Sequence, residues 1–247
     1  THLATLYHDD VMDEAELRRG ARSANSRWDN TIAILTGDFL FARSSKILAD
    51  LGPEAVRIQA RTFERLCTGQ IRETVGPREG QDPVEHHLDV VADKTGSLIA
   101  ASGRYGALMS GASDEHVEVL TVFGERIGVA FQLADDLVDI TSESMQSGKT
   151  PGTDLREGIP TLAGLIALTS DDPADARLQS LLSRPIPDDD EHAEALALLR
   201  AHPALDEARL EARRWADLAR ESLATLPDIP ARDVLAMLCD YVVSRTG

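Results

Sequence analysis

Two stretches of the chain place three aspartates in the same order: Asp9, Asp10 and Asp13 in HDDVMDE, and Asp135, Asp136 and Asp139 in QLADDLVDI. On a helix, residues four apart share a face and lie about 6 Å apart along the axis. Each stretch therefore aims two carboxylates the same way, with a third beside them. Bare carboxylates packed so closely repel one another, and a divalent cation is what such a group can hold. Mg²⁺ prefers oxygen ligands and takes one or two carboxylates, leaving other positions for water and substrate phosphate. Two clusters could hold a diphosphate between them through several metals.

Spacing alone does not carry that reading, because a third match occurs at Asp171, Asp172 and Asp175 in TSDDPADAR. Pro173 sits inside it and its flanks are polar, so it reads as a solvated loop or the start of a helix. The first cluster has better company. Arg18, Arg19 and Gly20 follow Asp13 within seven residues, and guanidinium forks bind phosphate oxygens bidentately. A diphosphate held by metal could also be gripped by Arg18 and Arg19.

The elements that must position these groups read as helices. The 247 residues are 43% hydrophobic and only 4% aromatic, and Ala, Leu and Glu recur, which favours helix over strand. Apolar residues at three- and four-residue intervals predict a helix over Ile32–Leu51, stopped at Gly52-Pro53. A second helix runs to about Val75 before Gly76-Pro77. A third opens at Pro83 and continues through Lys94 to about Met109, and a long fourth covers Asp114–Ser142 with Ser113 or Asp114 as N-cap. The polar stretch from Ser144 to Gly158 reads as a loop, as does Pro185–Asp190. The last helices span Ala204–Leu226 and Pro230–Val243. No strand or repeat stands out, so the expectation is one all-α domain over residues 1–247.

The formal net charge of −17 argues against a nucleic-acid partner, which calls for a basic stripe, and against electrostatic docking on an anionic membrane. No apolar run approaches the length of a spanning helix, and no signal peptide is visible. Cys67 and Cys239 lie far apart without metal-ligand spacing, which suits reduced, structural thiols in a cytoplasmic protein.

Taken with its surroundings, DDVMDEAELRRG resembles the first aspartate-rich motif of the trans-polyprenyl diphosphate synthases, and DDLVD resembles their second. The likeness, to the long-chain type, extends across nearly the whole chain. Lys94-Thr95 in ADKTGSL is similar to the family's Lys-Thr pair, Phe131-Gln132 to its Phe-Gln, and Lys149 in SGKTPGTDLREG to the lysine of a loop that closes over the substrates. His2, two turns before Asp9, matches a position that binds isopentenyl diphosphate. The resemblance implies a large helical bundle of the isoprenoid synthase type with the active site in a central cavity. It also implies a homodimer, several Mg²⁺ ions, and condensation of isopentenyl diphosphate onto an allylic diphosphate. Arg18, Lys94, Thr95 and Lys149 would then serve the allylic diphosphate, with Arg19 and His2 beside the isopentenyl group and Gln132 among the substrate-binding residues.

Product length in this family depends on side chains four and five residues before the first cluster. Here these are Thr5 and Ala4, with Thr1 at eight before. All are small, so a deep tunnel and a long product are expected; Tyr7 could restrict it. The chain departs from the family at two points. The upstream Gly-Gly-Lys and Arg-Pro segment has no match, which suggests a chain short of the family's N-terminal part. Ile159 in REGIPTL stands where many members have lysine. Two other readings follow from the same residues: a class I terpene cyclase, disfavoured by the second Asp-Asp-x-x-Asp and the RRG, and a non-catalytic subunit, disfavoured by the presence of all six aspartates.

Overall fold

The computed structural model describes residues 1–18, 20–142 and 151–245. It divides into two compact units, Thr1–Arg61 and Thr62–Gly247.

In the first unit, helix α1 (His2–Met12) and the short α2 (Ala24–Trp28) pack on α3 (Asn30–Leu51). The α3 helix starts two residues before the sequence pattern suggests, because the Asp29 side chain accepts a hydrogen bond from Ile32 N–H and caps it. Between α1 and α2 lies a ribbon the sequence did not announce: β1 (Leu17–Arg18) pairs antiparallel with β2 (Ala21–Arg22). Strands of two residues are too short to show alternation. Their turn includes Gly20 at φ +79, and their base is closed by Ser23 N–H donating to the Glu16 carbonyl at 3.0 Å. Helix α4 (Pro53–Val75) begins in this unit, with Pro53 in its first turn after Gly52.

The second unit is organised around α7 (Asp114–Thr141). Its N-terminus is capped by Ser113, whose hydroxyl accepts from His116 N–H. This helix has two apolar faces. Val129, Leu133, Leu137 and Ile140 enter one core cluster, with residues of α9 (Leu162–Leu168), α10 (Ala176–Leu182), α11 (Asp189–Ala201) and α12 (Ala204–Ser222). Phe123, Ile127, Ala130 and Ala134 enter another, with the end of α12 and α13 (Pro230–Ser244). Small side chains on α12, namely Ala208, Ala212, Ala216 and Ala219, are buried at four- and three-residue spacing and let it lie close to α7.

At about 100° per residue, the third face of α7 carries Glu125, Gly128, Gln132, Asp135, Asp136 and Asp139. It packs on a continuous helical stretch: α5 (Pro83–Val91), a π-helical turn (Ala92–Gly96) and α6 (Ser97–Met109). The sequence suggests one regular helix over this span, and the π turn interrupts it where Lys94 and Thr95 lie. Contact between backbones is close: a Cβ on Gly128 would stand 2.7 Å from Gly96 Cα.

After residue 150 the chain resumes beside Asp139. Part of the expected loop is helix α8 (Thr153–Glu157), with Leu155 buried in the core. The third aspartate match is structural. Asp172 caps a 3₁₀ turn (Pro173–Asp175), and Asp175 accepts from Ser170 and lies 3.0 Å from His202 Nε2. Both cysteines are free, Cys67 exposed and Cys239 buried. No helix among the described residues is long and apolar enough to cross a membrane.

The close approach makes a paired prediction. Gly128→Val should destabilise by at least about 1–3 kcal/mol through overpacking. Gly106→Ala, at an exposed helical site with nothing within 4 Å, should stabilise by about 0.5–1 kcal/mol. Denaturant unfolding of both variants checks this; equal, small effects would show that the contact does not constrain α7.

Candidate functional site

The first cluster ends α1. Asp9 and Asp10 lie on the helix, and Asp13 is its C-cap, donating its backbone N–H to the Asp9 carbonyl. Asp10 is buried, at 4% exposure. Its carboxylate is held by Arg18, with Nε at 2.7 Å and Nη2 at 2.5 Å from Oδ1. The expected diphosphate grip at Arg18 is thus engaged with Asp10 here, and the ribbon is what brings Arg18 back onto the helix end. Arg19 lies outside the described residues. His2 is exposed; Thr5 is half-buried with its hydroxyl on the His2 carbonyl, Ala4 is fully buried, and the Thr1 hydroxyl meets Ser44 at 3.0 Å. His8 fixes α1 to α3 by pairing Nε2 with the Ile34 carbonyl at 3.1 Å, and a Cβ on Gly37 would collide with its ring.

The second cluster and the Lys-Thr pair come together in the second unit. Thr95 Oγ1 donates to Gln132 Oε1 at 3.0 Å, and Gln132 Nε2 donates to Asp136 Oδ1 at 2.8 Å. Lys94 Nζ pairs with Glu73 on α4. That approach needs Gly69, because a Cβ there would lie 2.9 Å from Lys94 Cγ and 3.0 Å from Asp93 Cβ. The π turn is braced from outside by Arg65, which donates to Asp93 at 2.8 Å, Glu125 at 2.6 Å and the Ala92 carbonyl at 3.3 Å. The same Ala92 carbonyl accepts Ser97 N–H, the bond that defines the turn. Such turns are frequent at functional sites.

Around Asp136 the electrostatics are adverse. Burial pushes its carboxyl up, to about 8, and nearby Asp154, Asp135 and Asp139 push the same way, against the Gln132 hydrogen bond. Asp135 is paired with Arg245 at 3.1 Å, and the Arg245 guanidinium lies 5.3 Å from the Phe131 ring centroid. Asp139 Oδ2 accepts Asp154 N–H at 3.3 Å, and the Asp139 carbonyl accepts Gly152 N–H at 2.9 Å. His87, on α5, stands with Nε2 3.9 Å from Asp136 Oδ2. Burial, and then His86, push the His87 imidazole down to about 4.

This donor set suits a hard cation: oxygen ligands only, several of them carboxylates, one buried with too little compensation. Among the described residues no three His, Cys, Asp or Glu side chains form a ready-made cage. A cation taken up here would complete its shell from water or substrate oxygen. Lys149 lies outside the described residues. Sequence reasoning missed Glu73, His87, Asp154, Arg245 and the Arg65 brace. Only Gly69 left a trace, since a glycine deep inside a 23-residue helix signals a close backbone approach.

The sequence model of the polyprenyl synthetase family matches residues 1–199. The chain is similar to the nonaprenyl diphosphate synthase of Mycobacterium tuberculosis, with 57% identity over 246 residues, covering 100% of this chain and 73% of that protein. Its structure is similar to that of a geranylgeranyl pyrophosphate synthase from Corynebacterium glutamicum complexed with calcium and isoprenyl diphosphate. That match has a TM-score of 0.88 and 46% identity, over 100% of this chain and 74% of that one. A decaprenyl diphosphate synthase from Rhodobacter capsulatus matches with a TM-score of 0.89 and 36% identity, over 100% and 76% of the two chains. The all-α fold is that of these synthases.

The Thr95–Gln132–Asp136 chain yields a prediction about folding. Gln132→Leu removes both its links and leaves Asp136 without its donor, at a cost of about 1–3 kcal/mol. Chemical denaturation measures it; an unchanged midpoint would mean that the amide contributes nothing to the site's order.

Proposed function

The chain belongs to the polyprenyl synthetase family, and from that premise we propose that it is a prenyltransferase making a long-chain all-trans polyprenyl diphosphate. The substrates are isopentenyl diphosphate and an allylic diphosphate. The observation that carries this reading is the hydrogen-bonded chain from Thr95 through Gln132 to Asp136, which joins the Lys-Thr pair to the second aspartate cluster in one site.

Asp9, Asp10, Asp13, Asp135, Asp136 and Asp139 hold divalent cations, Mg²⁺ in the working enzyme. Those ions, when bound, neutralise the charge that builds on the departing diphosphate. Lys94, Arg18 and Lys149 donate to the same diphosphate. For Lys94 this means leaving Glu73, and for Arg18 sharing itself between Asp10 and substrate. Thr95 and Gln132 orient the allylic group. Arg19 and His2 hold isopentenyl diphosphate, so that its double bond lies where the allylic C–O bond breaks. The new C–C bond forms from that double bond to the allylic carbon. The released diphosphate takes the proton lost from the condensed chain, so no side-chain nucleophile or base is called for. Two copies of the chain form a homodimer, for which exposed apolar side chains on α3, such as Leu35 and Phe39, supply a surface.

The product is long because Thr1, Ala4 and Thr5 leave room ahead of the first cluster. Similarity to a nonaprenyl diphosphate synthase supports that length. Incubation with Mg²⁺, isopentenyl diphosphate and an allylic primer should give a ladder of products extending many units beyond the primer. Thr5→Phe should shorten the ladder while leaving the first addition within about threefold of wild type, an effect of about 0.7 kcal/mol or less. An unshortened ladder would refute the role of Thr5, and no condensation at all would refute the reaction.

A further inference from the structure

Among the described residues at the second cluster, His87 has no role in the proposed reaction. Its side chain is 11% exposed. Its Nε2 is buried and makes no hydrogen bond, which is costly for a group of that kind. The atom faces Asp136 Oδ2 at 3.9 Å. The other oxygen of that carboxylate already accepts from Gln132.

We propose that His87 is a positioning residue, donating from Nε2–H to Asp136 Oδ2 so that Gln132 and His87 together fix the carboxylate by one oxygen each. The inference rests on reading Asp136 as a ligand of the divalent cation.

The polarity of the neighbouring bonds supports the assignment. Thr95 donates to Gln132 Oε1, which turns the Gln132 amide nitrogen toward Asp136. A carboxylate in its ligand form only accepts, so the imidazole tautomer that satisfies the remaining oxygen carries its proton on Nε2. The gap to a normal N–H···O bond is about 1 Å, within reach of small side-chain rotations. The backbone around His87 is held independently: His86 Nε2 lies 3.1 Å from the Arg72 carbonyl, and Val90 and Val91 are buried on the same helix. Outer groups that orient metal ligands in this way typically change metal affinity by about 10- to 100-fold when removed.

The test is direct binding of Mn²⁺, followed by loss of the free-ion EPR signal, in wild type and in His87→Phe, His87→Gln and His87→Asn. Gln can place an amide N–H near the position of Nε2; Asn reaches only that of Nδ1. We expect Phe and Asn to weaken binding by about tenfold and Gln to restore it to within about threefold, with thermal unfolding of Gln and Asn alike. His87→Phe should add nothing further in an Asp136→Asn background.

Wild-type affinity in His87→Phe would overturn the assignment. So would equal weakening by Gln and Asn, or additive losses with Asp136→Asn. Condensation by the wild-type protein is read separately. The expected Mn²⁺ pattern without condensation would support the His87–Asp136 link and refute the reaction. Condensation with no His87 effect on Mn²⁺ would refute the link alone.

Discussion

A carboxylate taken out of water must recover its lost hydration from something else. Asp136 is 9% exposed, on a helix buried along two other faces, with Asp135, Asp139 and Asp154 all raising its proton affinity. One amide hydrogen bond from Gln132 is the compensation at hand. Much of the second unit can be understood as the scaffold for this costly arrangement. Two apolar faces of α7 anchor the helix rigidly, and the glycines at 96 and 128 bring the π turn up against its third face. Small side chains on α12 close the other side.

Such a site is stable enough to exist because its cost is local and its anchoring is not. The large apolar side chains Leu133, Leu137 and Ile140 are almost fully buried, each contributing about 1.5–3 kcal/mol relative to exposure. The first cluster solves its problem differently. Asp10 is matched directly by Arg18 from the ribbon, so the charge balance there is built into the chain.

Much of this was legible in the sequence. The face of α7 that carries Gln132, Asp135, Asp136 and Asp139 follows from helical period alone, and the breaks at Gly52-Pro53, Gly76-Pro77 and Pro83 fall where glycine and proline require them. What period cannot show is which partner a charged side chain finds. Glu73 meets Lys94 from a different helix, and Arg245 reaches Asp135 from 110 positions away. The π turn at Ala92–Gly96 is braced by Arg65 and lies against Gly128. A glycine inside α7 hints at a close approach, but neither residue shows locally that the helix is interrupted there. The two-residue strands are too short for alternation to register. The burial of Asp10, beside the half-buried Asp9, likewise needs the three-dimensional neighbourhood of α3 and the ribbon.

On the proposed reading, the aspartate clusters hold cations whose remaining positions belong to a diphosphate. Calorimetric titration of the protein with inorganic diphosphate, with Mg²⁺ present and with Mg²⁺ removed by chelation, tests it most directly. The account predicts saturable binding only when Mg²⁺ is present, abolished by Asp136→Asn. Equal binding without the metal, or none with it, would contradict it.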